Sequence, residues 1–403
     1  MLFVGMILYD EDSRNRFRAF PAWKGESSMH EENLCETTKK LGFGCMRFPK
    51  KDGEIDVEQV KEMVDLFLDA GFTYFDTAFV YPGSEEALKT ALVDRYPRDR
   101  YTIATKNAAW SGCNSKEEAE AQFETSLERT GAGYFDYYLL HNLGKHRTEF
   151  FDRFDLWNIV KKKKEEGKIR HIGFSFHSTA EELDEILTAH PEAEFVQLQI
   201  NYADWYSTDV QSKRTYETAR KHGKPVVIME PVKGGLLAHP PMGVEEIFRT
   251  ADSESSCASW AIRFAAGLDG VLTVLSGMSS IEQMKDNISF MKDFKKLSAE
   301  EMKVIEAAQQ EIAKAPLIPC TTCNYCAKVC PMNIGISGTF QAMNFLNLYH
   351  NMERAKGTIG FHVLKAGKNP AKDCIQCGAC ESVCPQHIEI RRRLQEAAEA
   401  IEV

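Results

Sequence analysis

The sequence predicts an α/β chain: a (β/α)8 TIM barrel over residues 39–312, then a small, mainly helical domain over 313–403. Three observations carry this. Strand-sized apolar runs alternate with amphipathic stretches eight times from Leu41 onward, over the roughly 250 residues that such a barrel needs. No G-x-G-x-x-G occurs, so the usual mark of the rival doubly wound sheet is absent. Eight of the 12 cysteines crowd between 320 and 384, in two copies of one pattern. The length, 403 residues, suits two domains.

Ahead of the barrel, residues 1–38 hold one short apolar run, Leu2–Leu8, followed at once by acidic residues. It has no basic segment before it and no small-residue cleavage site after it, which argues against a secretory signal. The remainder is polar and aperiodic. It is expected to be a loose leader, or sequence upstream of a start at Met29.

The eight strands are predicted to begin near Leu41, Thr73, Tyr101, Phe135, Arg170, Phe195, Pro225 and Val271. Segments such as TYFDT, YTIAT, YFDYYLL, FVQLQI and PVVIM are rich in aromatic and β-branched residues. Between them lie helical patterns: Val57, Val60, Val64, Phe67 and Leu68 recur on one face. Ser115 with Glu118, Ser178 with Glu181 and Ser298 with Glu301 have the spacing of capping boxes. The basic run Lys161–Lys164 reads as the solvated end of a helix.

Composition excludes some functions. A net charge of -10 argues against nucleic acid as a partner, since phosphate neutralisation needs a basic face. No apolar run approaches the ~20 residues needed for membrane insertion. Hydrophobic residues at 43% and charged residues at 27% fit a globular chain with a sizeable core.

In a barrel of this kind chemistry belongs where strands run out into their following loops. Asp76 ends the second strand, with Tyr81 in the loop after it. Lys106 ends the third and His141 the fourth. Singly, each has an ordinary reading: a helix cap, a ring on the rim, a solvated strand end, a satisfied core histidine. Together on one rim they form a proton-transfer set. A tyrosine is a weak acid, with an ordinary pKa of about 10, and a nearby ammonium lowers it. A carboxylate would hold that ammonium, and a histidine could orient a carbonyl.

Residues 39 to about 312 resemble the aldo-keto reductases. The motifs are LGFGCMRFP at 41–49, FDTAFVY at 75–81, ATK at 104–106, YYLLH at 137–141, EEGKIRHIGFS at 165–175, MEPVKGG at 229–235 and VLSGMSSIEQMKDN at 274–287. The resemblance implies Asp76, Tyr81, Lys106 and His141 as a catalytic tetrad, with Tyr81 as general acid. It also implies NADP(H) or NAD(H), bound extended across the strand ends. Ser175 and Gln199 match positions that hold the carboxamide. Gly277, Met278, Ser279 and Gln283 match the adenosine-phosphate region, and Asn287 an adenine contact. Gly44 and Met46 are placed to line the nicotinamide side. Two positions depart from the family: Gly277 stands where many members carry a lysine for the 2′-phosphate, and Phe176 where a carboxamide asparagine is common. Lys233 is a substitute phosphate contact to test.

The last quarter repeats C-x2-C-x2-C-x3-C-P, the cluster-binding run of bacterial ferredoxins. One copy is Cys320, Cys323, Cys326, Cys330, Pro331; the other is Cys374, Cys377, Cys380, Cys384, Pro385. In two-cluster ferredoxins the fourth cysteine serves the other cluster. One [4Fe-4S] cluster is therefore assigned to Cys320, Cys323, Cys326 and Cys384, and a second to Cys374, Cys377, Cys380 and Cys330. Zinc is the alternative for C-x2-C pairs, and the doubled four-cysteine run with its proline weighs against it. Disulfides do not suit a chain without an export signal. Cys35, Cys45, Cys113 and Cys257 share no spacing and read as single thiols. Between the motifs, Ala342, Phe345, Leu346 and Tyr349 recur at helical spacing, so the domain resembles helical dicluster ferredoxins. The short linker around 313–319 implies close docking, and the charged tail helix from Ile388 is expected to pack back on the barrel.

The function expected from the two parts is an oxidoreductase of the reducing cytoplasm. It would act on a small carbonyl or alcohol, with a ferredoxin or flavoprotein as candidate redox partner. The alternative is an iron–sulfur electron-transfer protein that uses the barrel as a cofactor or partner platform. A sensor built on a degenerate barrel is a third reading, against which the intact tetrad argues.

Overall fold

The computed structural model describes residues 34–401 except 36–37, 145–146, 209, 316, 321, 323 and 385. Most of the leader, and Cys323 among the proposed ligands, lie outside the described residues. Eight parallel strands close into a barrel: β1 (Leu41–Gly44), β2 (Tyr74–Asp76), β3 (Thr102–Asn107), β4 (Phe135–Leu143), β5 (Ile169–Phe176), β6 (Phe195–Gln199), β7 (Val226–Met229) and β8 (Val271–Ser276). Each pairs with the next, and β8 returns to β1. Every strand begins within one residue of its predicted start.

Period-two alternation organises the barrel interior. Its lower layers are apolar, with Tyr74, Ala104, Tyr137, Leu139, Phe195 and Val227 buried together. Leu34 and Cys35, inside the predicted leader, pack against this layer. Two residues further along the same strands come Asp76, Lys106, His141 and Gln197, so the upper layer is polar. Gly173 makes room for Phe195: a Cβ there would lie 2.6 Å from both its ring and its carbonyl oxygen. Gly173→Val is therefore expected to cost about 3 kcal/mol by overpacking, read as a lowered urea midpoint. A wild-type midpoint would mean that Phe195 can leave the lumen.

Outside the strands, the helix Val57–Asp69 buries Val60, Met63, Val64, Phe67 and Leu68, much as its pattern predicts. Of the three capping boxes, Ser298–Glu301 is complete in both directions. Ser115 accepts from the Glu118 backbone N–H at 3.3 Å. The third is shifted by one residue: Thr179, not Ser178, caps its helix, accepting from Glu182 N at 3.4 Å. Ser178 is instead buried against the Gly144 turn, where a Cβ on Gly144 would come within 2.6 Å of it. Ser298→Ala removes a satisfied cap and is expected to cost about 1 kcal/mol, again measured by denaturant melting; no change would show the cap to be redundant. The Lys161–Lys164 run ends the helix Leu156–Glu165 and pairs outward with Glu192, Glu124 and Glu194.

The C-terminal part has its own core, built from Ile318, Ile334, Ile336, Phe340, Ile359, Val363 and others. The helices Ile336–Tyr349 and Met352–Ile359 fill the segment between the cysteine motifs. The tail helix Ile390–Ala400 corrects the expectation for it. Its apolar residues Ile390, Leu394 and Ala397 are used up in this second core. Its other side carries Arg392 and Arg393 paired with Glu389 and Glu396, which leaves no apolar face for the barrel. Tyr349, at the end of the helix Ile336–Tyr349, packs against the barrel core. No helix among the described residues is long and apolar enough to cross a membrane.

Candidate active site and cluster cavities

Strand register explains why the four polar side chains meet. Gly44 pairs with Asp76, Asp76 with Ala104, and Lys106 with Leu139, so Lys106 and His141 each stand two residues beyond the register partner of the preceding strand's polar residue and follow the stagger of the barrel. Lys106 Nζ lies 2.5 Å from Asp76 Oδ1 and 2.7 Å from the Thr77 carbonyl oxygen. The ammonium stands 5.2 Å from the centroid of the Tyr81 ring. The Tyr81 and His141 rings meet edge to face at 5.8 Å. The loop carrying Tyr81 is held by a chain of hydroxyls: Thr77 Oγ1 and Ser84 Oγ are 2.8 Å apart, and Ser84 Oγ donates to the Cys45 carbonyl at 3.0 Å.

Electrostatics give each group a state. Burial works against charge on Lys106, but the Asp76 carboxylate and Tyr81 lift its pKa above the usual lysine value. It stays an ammonium. Burial pushes the Tyr81 phenol above its ordinary value, and Lys106 pulls the other way without prevailing. The ammonium alone would lower the phenol's pKa, as expected from the sequence; the dry environment reverses the sign. Burial also drives His141 well below the usual imidazole range, with Lys106 adding like-charge repulsion. His141 is therefore a neutral ring, and its Nδ1 is buried without a hydrogen-bond partner.

Three supporting residues were not foreseen. Gln197 Nε2 approaches the second Asp76 oxygen at 3.4 Å. Its inward direction was readable from FVQLQI, where it shares parity with Phe195 and Gln199. Trp110 Nε1 donates to the His141 carbonyl at 2.7 Å, and its ring meets the imidazole at 5.9 Å. Buried Glu85 accepts from Thr105 Oγ1 at 2.8 Å and pairs with Arg129.

The residues expected to hold a dinucleotide are spread over the same end of the barrel. Gly44 lies close under the β8 end, where its Cβ would come 3.4 Å from the Ser276 carbonyl oxygen. Met46 is exposed beside it. Ser175 Oγ is buried and accepts from Asn142 N at 2.7 Å. Gln199 is half-buried at the β6 end. The Gly277–Ser279 turn is tied to the next helix, with Ser279 N donating to Gln283 Oε1 at 2.7 Å. Asn287 Nδ2 donates to Ser276 Oγ at 2.6 Å. The Met278 side chain is in the core, so that position offers a ligand only backbone. Lys233 is not a spare cation: its Nζ lies 2.5 Å from Asp204 Oδ1.

In the C-terminal part the cysteines ring two cavities. One, with about 310 Å³ of empty space, is lined by Cys330, Cys374, Cys377 and Cys380. The other, with about 320 Å³, is lined by Cys320, Cys326 and Cys384. The last cysteine of each motif, Cys330 or Cys384, thus lines the cavity that holds cysteines of the other motif. The two motifs share an unusual backbone: Thr322 and Gln376, Asn324 and Gly378, and Asn333 and His387 occupy equivalent positions with positive φ. Among the described residues no three Cys, His, Asp or Glu side chains converge tightly enough for a single metal ion.

Known proteins agree with both halves. The Aldo/keto reductase family model matches residues 40–310, and that of the 4Fe-4S dicluster domain matches 319–389. An aldo-keto reductase of Mycolicibacterium vanbaalenii is 30% identical over 263 residues, covering 64% of this chain and 86% of that protein. Among solved structures, the holo form of an aldo-keto reductase from Bacillus halodurans superposes with a TM-score of 0.53 at 26% identity, covering 67% of this chain and 91% of that one. An aldo-keto reductase from Klebsiella pneumoniae in complex with NADPH gives 0.52 at 24% identity, over 67% and 90%; that likeness speaks for the fold. A closed eight-strand barrel followed by a doubled cysteine motif thus has a consistent assignment: the chain belongs to the aldo/keto reductase family of oxidoreductases and carries a 4Fe-4S dicluster domain at its C-terminal end.

Proposed function

We propose that the chain reduces a small aldehyde or ketone to the alcohol, or runs the reverse, with NADP(H) or NAD(H) and with Tyr81 as the proton donor. The observation that carries this is the meeting of buried Asp76, Lys106 and His141, at adjoining strand ends, with the half-buried Tyr81 of the loop after β2. The bound nicotinamide would supply the hydride. Everything else is the work of the chain. Tyr81, kept protonated by burial, gives its proton to the carbonyl oxygen. Lys106, held as an ammonium by Asp76, stabilises the phenolate left behind. Neutral His141 offers a hydrogen bond to the same oxygen, and the apolar lumen beneath excludes water. One carbonyl, one hydride and one proton give one alcohol.

The same reading assigns two [4Fe-4S] clusters to the cysteine cavities, in the sets Cys320, Cys323, Cys326, Cys384 and Cys374, Cys377, Cys380, Cys330. Hydride carries two electrons and such a cluster takes one, so carbonyl reduction is complete without them. The clusters exchange electrons with a ferredoxin or flavoprotein, or brace the domain. Exposed Tyr325, Val329, Ile375 and Val383 near the cysteines favour the second reading, an electron-transfer protein. Anaerobic protein titrated with NADPH, with and without a carbonyl panel, separates the two. Carbonyl-dependent oxidation of NADPH supports the reductase. Bleaching of the cluster absorbance by NADPH or a reduced flavoprotein, with no turnover on any carbonyl, supports electron transfer instead.

A further inference from the structure

We propose that Arg47 and Arg354, one from each domain, form a clamp for a phosphate group of the dinucleotide, so that the iron–sulfur domain completes the cofactor site of the barrel. The inference rests on the dinucleotide reading above.

Arg47 follows Met46 in the loop after β1, and its side chain runs along Gly277, whose Cβ would lie 3.8 Å from it. Arg354 belongs to the helix Met352–Ile359 of the C-terminal domain, where Asn351 caps the first turn by accepting from Arg354 N at 2.9 Å. The two guanidinium groups meet over Gly234, in the loop after β7. A Cβ on Gly234 would lie 3.3 Å from Arg47 Nη2 and 3.7 Å from Arg354 Nη2. Gly234 has φ +66, and glycine adopts that conformation without strain. The missing side chain leaves a small volume bordered by both cations.

Neither guanidinium has a carboxylate within ion-pair distance among the described residues, while neighbouring Lys233 is neutralised by Asp204. Arg354 has only the Phe345 ring, 5.8 Å away. Two like charges brought together by separate domains repel unless an anion lies between them. The place is right for one, because the loops after strands seven and eight of such barrels commonly hold phosphate. Arginine forks match phosphate oxygens. Gly277 supplies no charge of its own, so a cation arriving from the second domain fills that need.

The test uses full-length holoprotein, purified anaerobically, with iron content and cluster spectrum checked for every variant. Binding of NADPH, NADH and inorganic pyrophosphate is measured by calorimetry for wild type, Arg354→Ala, Arg354→Lys, Arg47→Ala and Gly234→Val. Arg354 is exposed, so its loss should leave iron content unchanged. Arg354→Ala is expected to weaken NADPH binding about tenfold or more, to flatten its salt dependence, and to be partly restored by lysine. Gly234→Val, which fills the cradle, should do the same. A loss confined to NADPH places the clamp on the 2′-phosphate; an equal loss for NADH and pyrophosphate places it on the pyrophosphate. Wild-type affinity of Arg354→Ala for all three would overturn the clamp and leave the reductase standing. Binding of pyrophosphate but neither dinucleotide by wild type, lost in Arg354→Ala, would overturn the nicotinamide reading and keep the anion site. No binding of any of the three by wild type would overturn both.

Discussion

Replacing Tyr81 with phenylalanine is expected to lower kcat for carbonyl reduction about a thousandfold while leaving dinucleotide affinity unchanged. The size follows from removing a positioned general acid, which contributes roughly 10²–10⁴-fold. The ring stays, so its edge-to-face contact with His141 stays too. The lost atom is the hydroxyl of a ring that lies 5.2 Å from the Lys106 ammonium and edge to face with the neutral His141 imidazole. Lys106→Met would be a less clean test. It leaves the Asp76 carboxylate 4% exposed with only Gln197 at 3.4 Å to answer it. Breaking a buried pair from one side costs about 3–5 kcal/mol, so the fold and the chemistry would fail together. The check is steady-state kinetics on the best carbonyl found, with NADPH binding measured separately. Full activity in Tyr81→Phe would mean that the proton comes from elsewhere.

How far the sequence could lead is clearest residue by residue. Asp76, Lys106 and His141 were legible because each ends an apolar strand, and a barrel brings strand ends together. Their state was not. Whether Tyr81 is pushed up or down depends on how dry the rim is, and no motif records that. Gln197 was passed over in favour of Gln199, although both face inward by parity. Only closure of the barrel shows that Gln197, one step lower, reaches Asp76. Thr179 took the cap assigned to Ser178 because Ser178 is claimed by packing against the Gly144 turn. The tail helix looked free to join the barrel because its charges say nothing about which core takes its apolar face. Arg354 was invisible for a plainer reason. It lies in a different domain from the Arg47 and Gly234 that it approaches, and sequence spacing carries no information across that gap.

Cysteine substitutions are expected to sort by cavity, not by motif. Cys330→Ser should disturb the same cluster as Cys374→Ser, and Cys384→Ser the same as Cys320→Ser. The reason is the path of the chain. The short helices Tyr325–Lys328 and Ala379–Ser382 each follow the first two cysteines of a motif, contain the third, and lead the chain on to the fourth. Cys326 and Cys380 are buried at these helices, and Cys330 and Cys384 emerge beyond them, at the opposite cavities. Each single substitution should remove about half of the iron and sulfide, one [4Fe-4S] set of two. Electron paramagnetic resonance of the reduced variants then shows which signal survives. If Cys330→Ser removed the signal that Cys320→Ser removes, each motif would hold its own cluster and the cavity lining would be misleading. Exchange has a structural consequence as well. In the proposed assignment each cluster would tie both ends of the 331–373 insertion, so both motifs and the helices between them would be secured by the same bonds. Losing one cluster should loosen the whole domain, including the helix that carries Arg354. Dinucleotide affinity should then fall in the cysteine variants too.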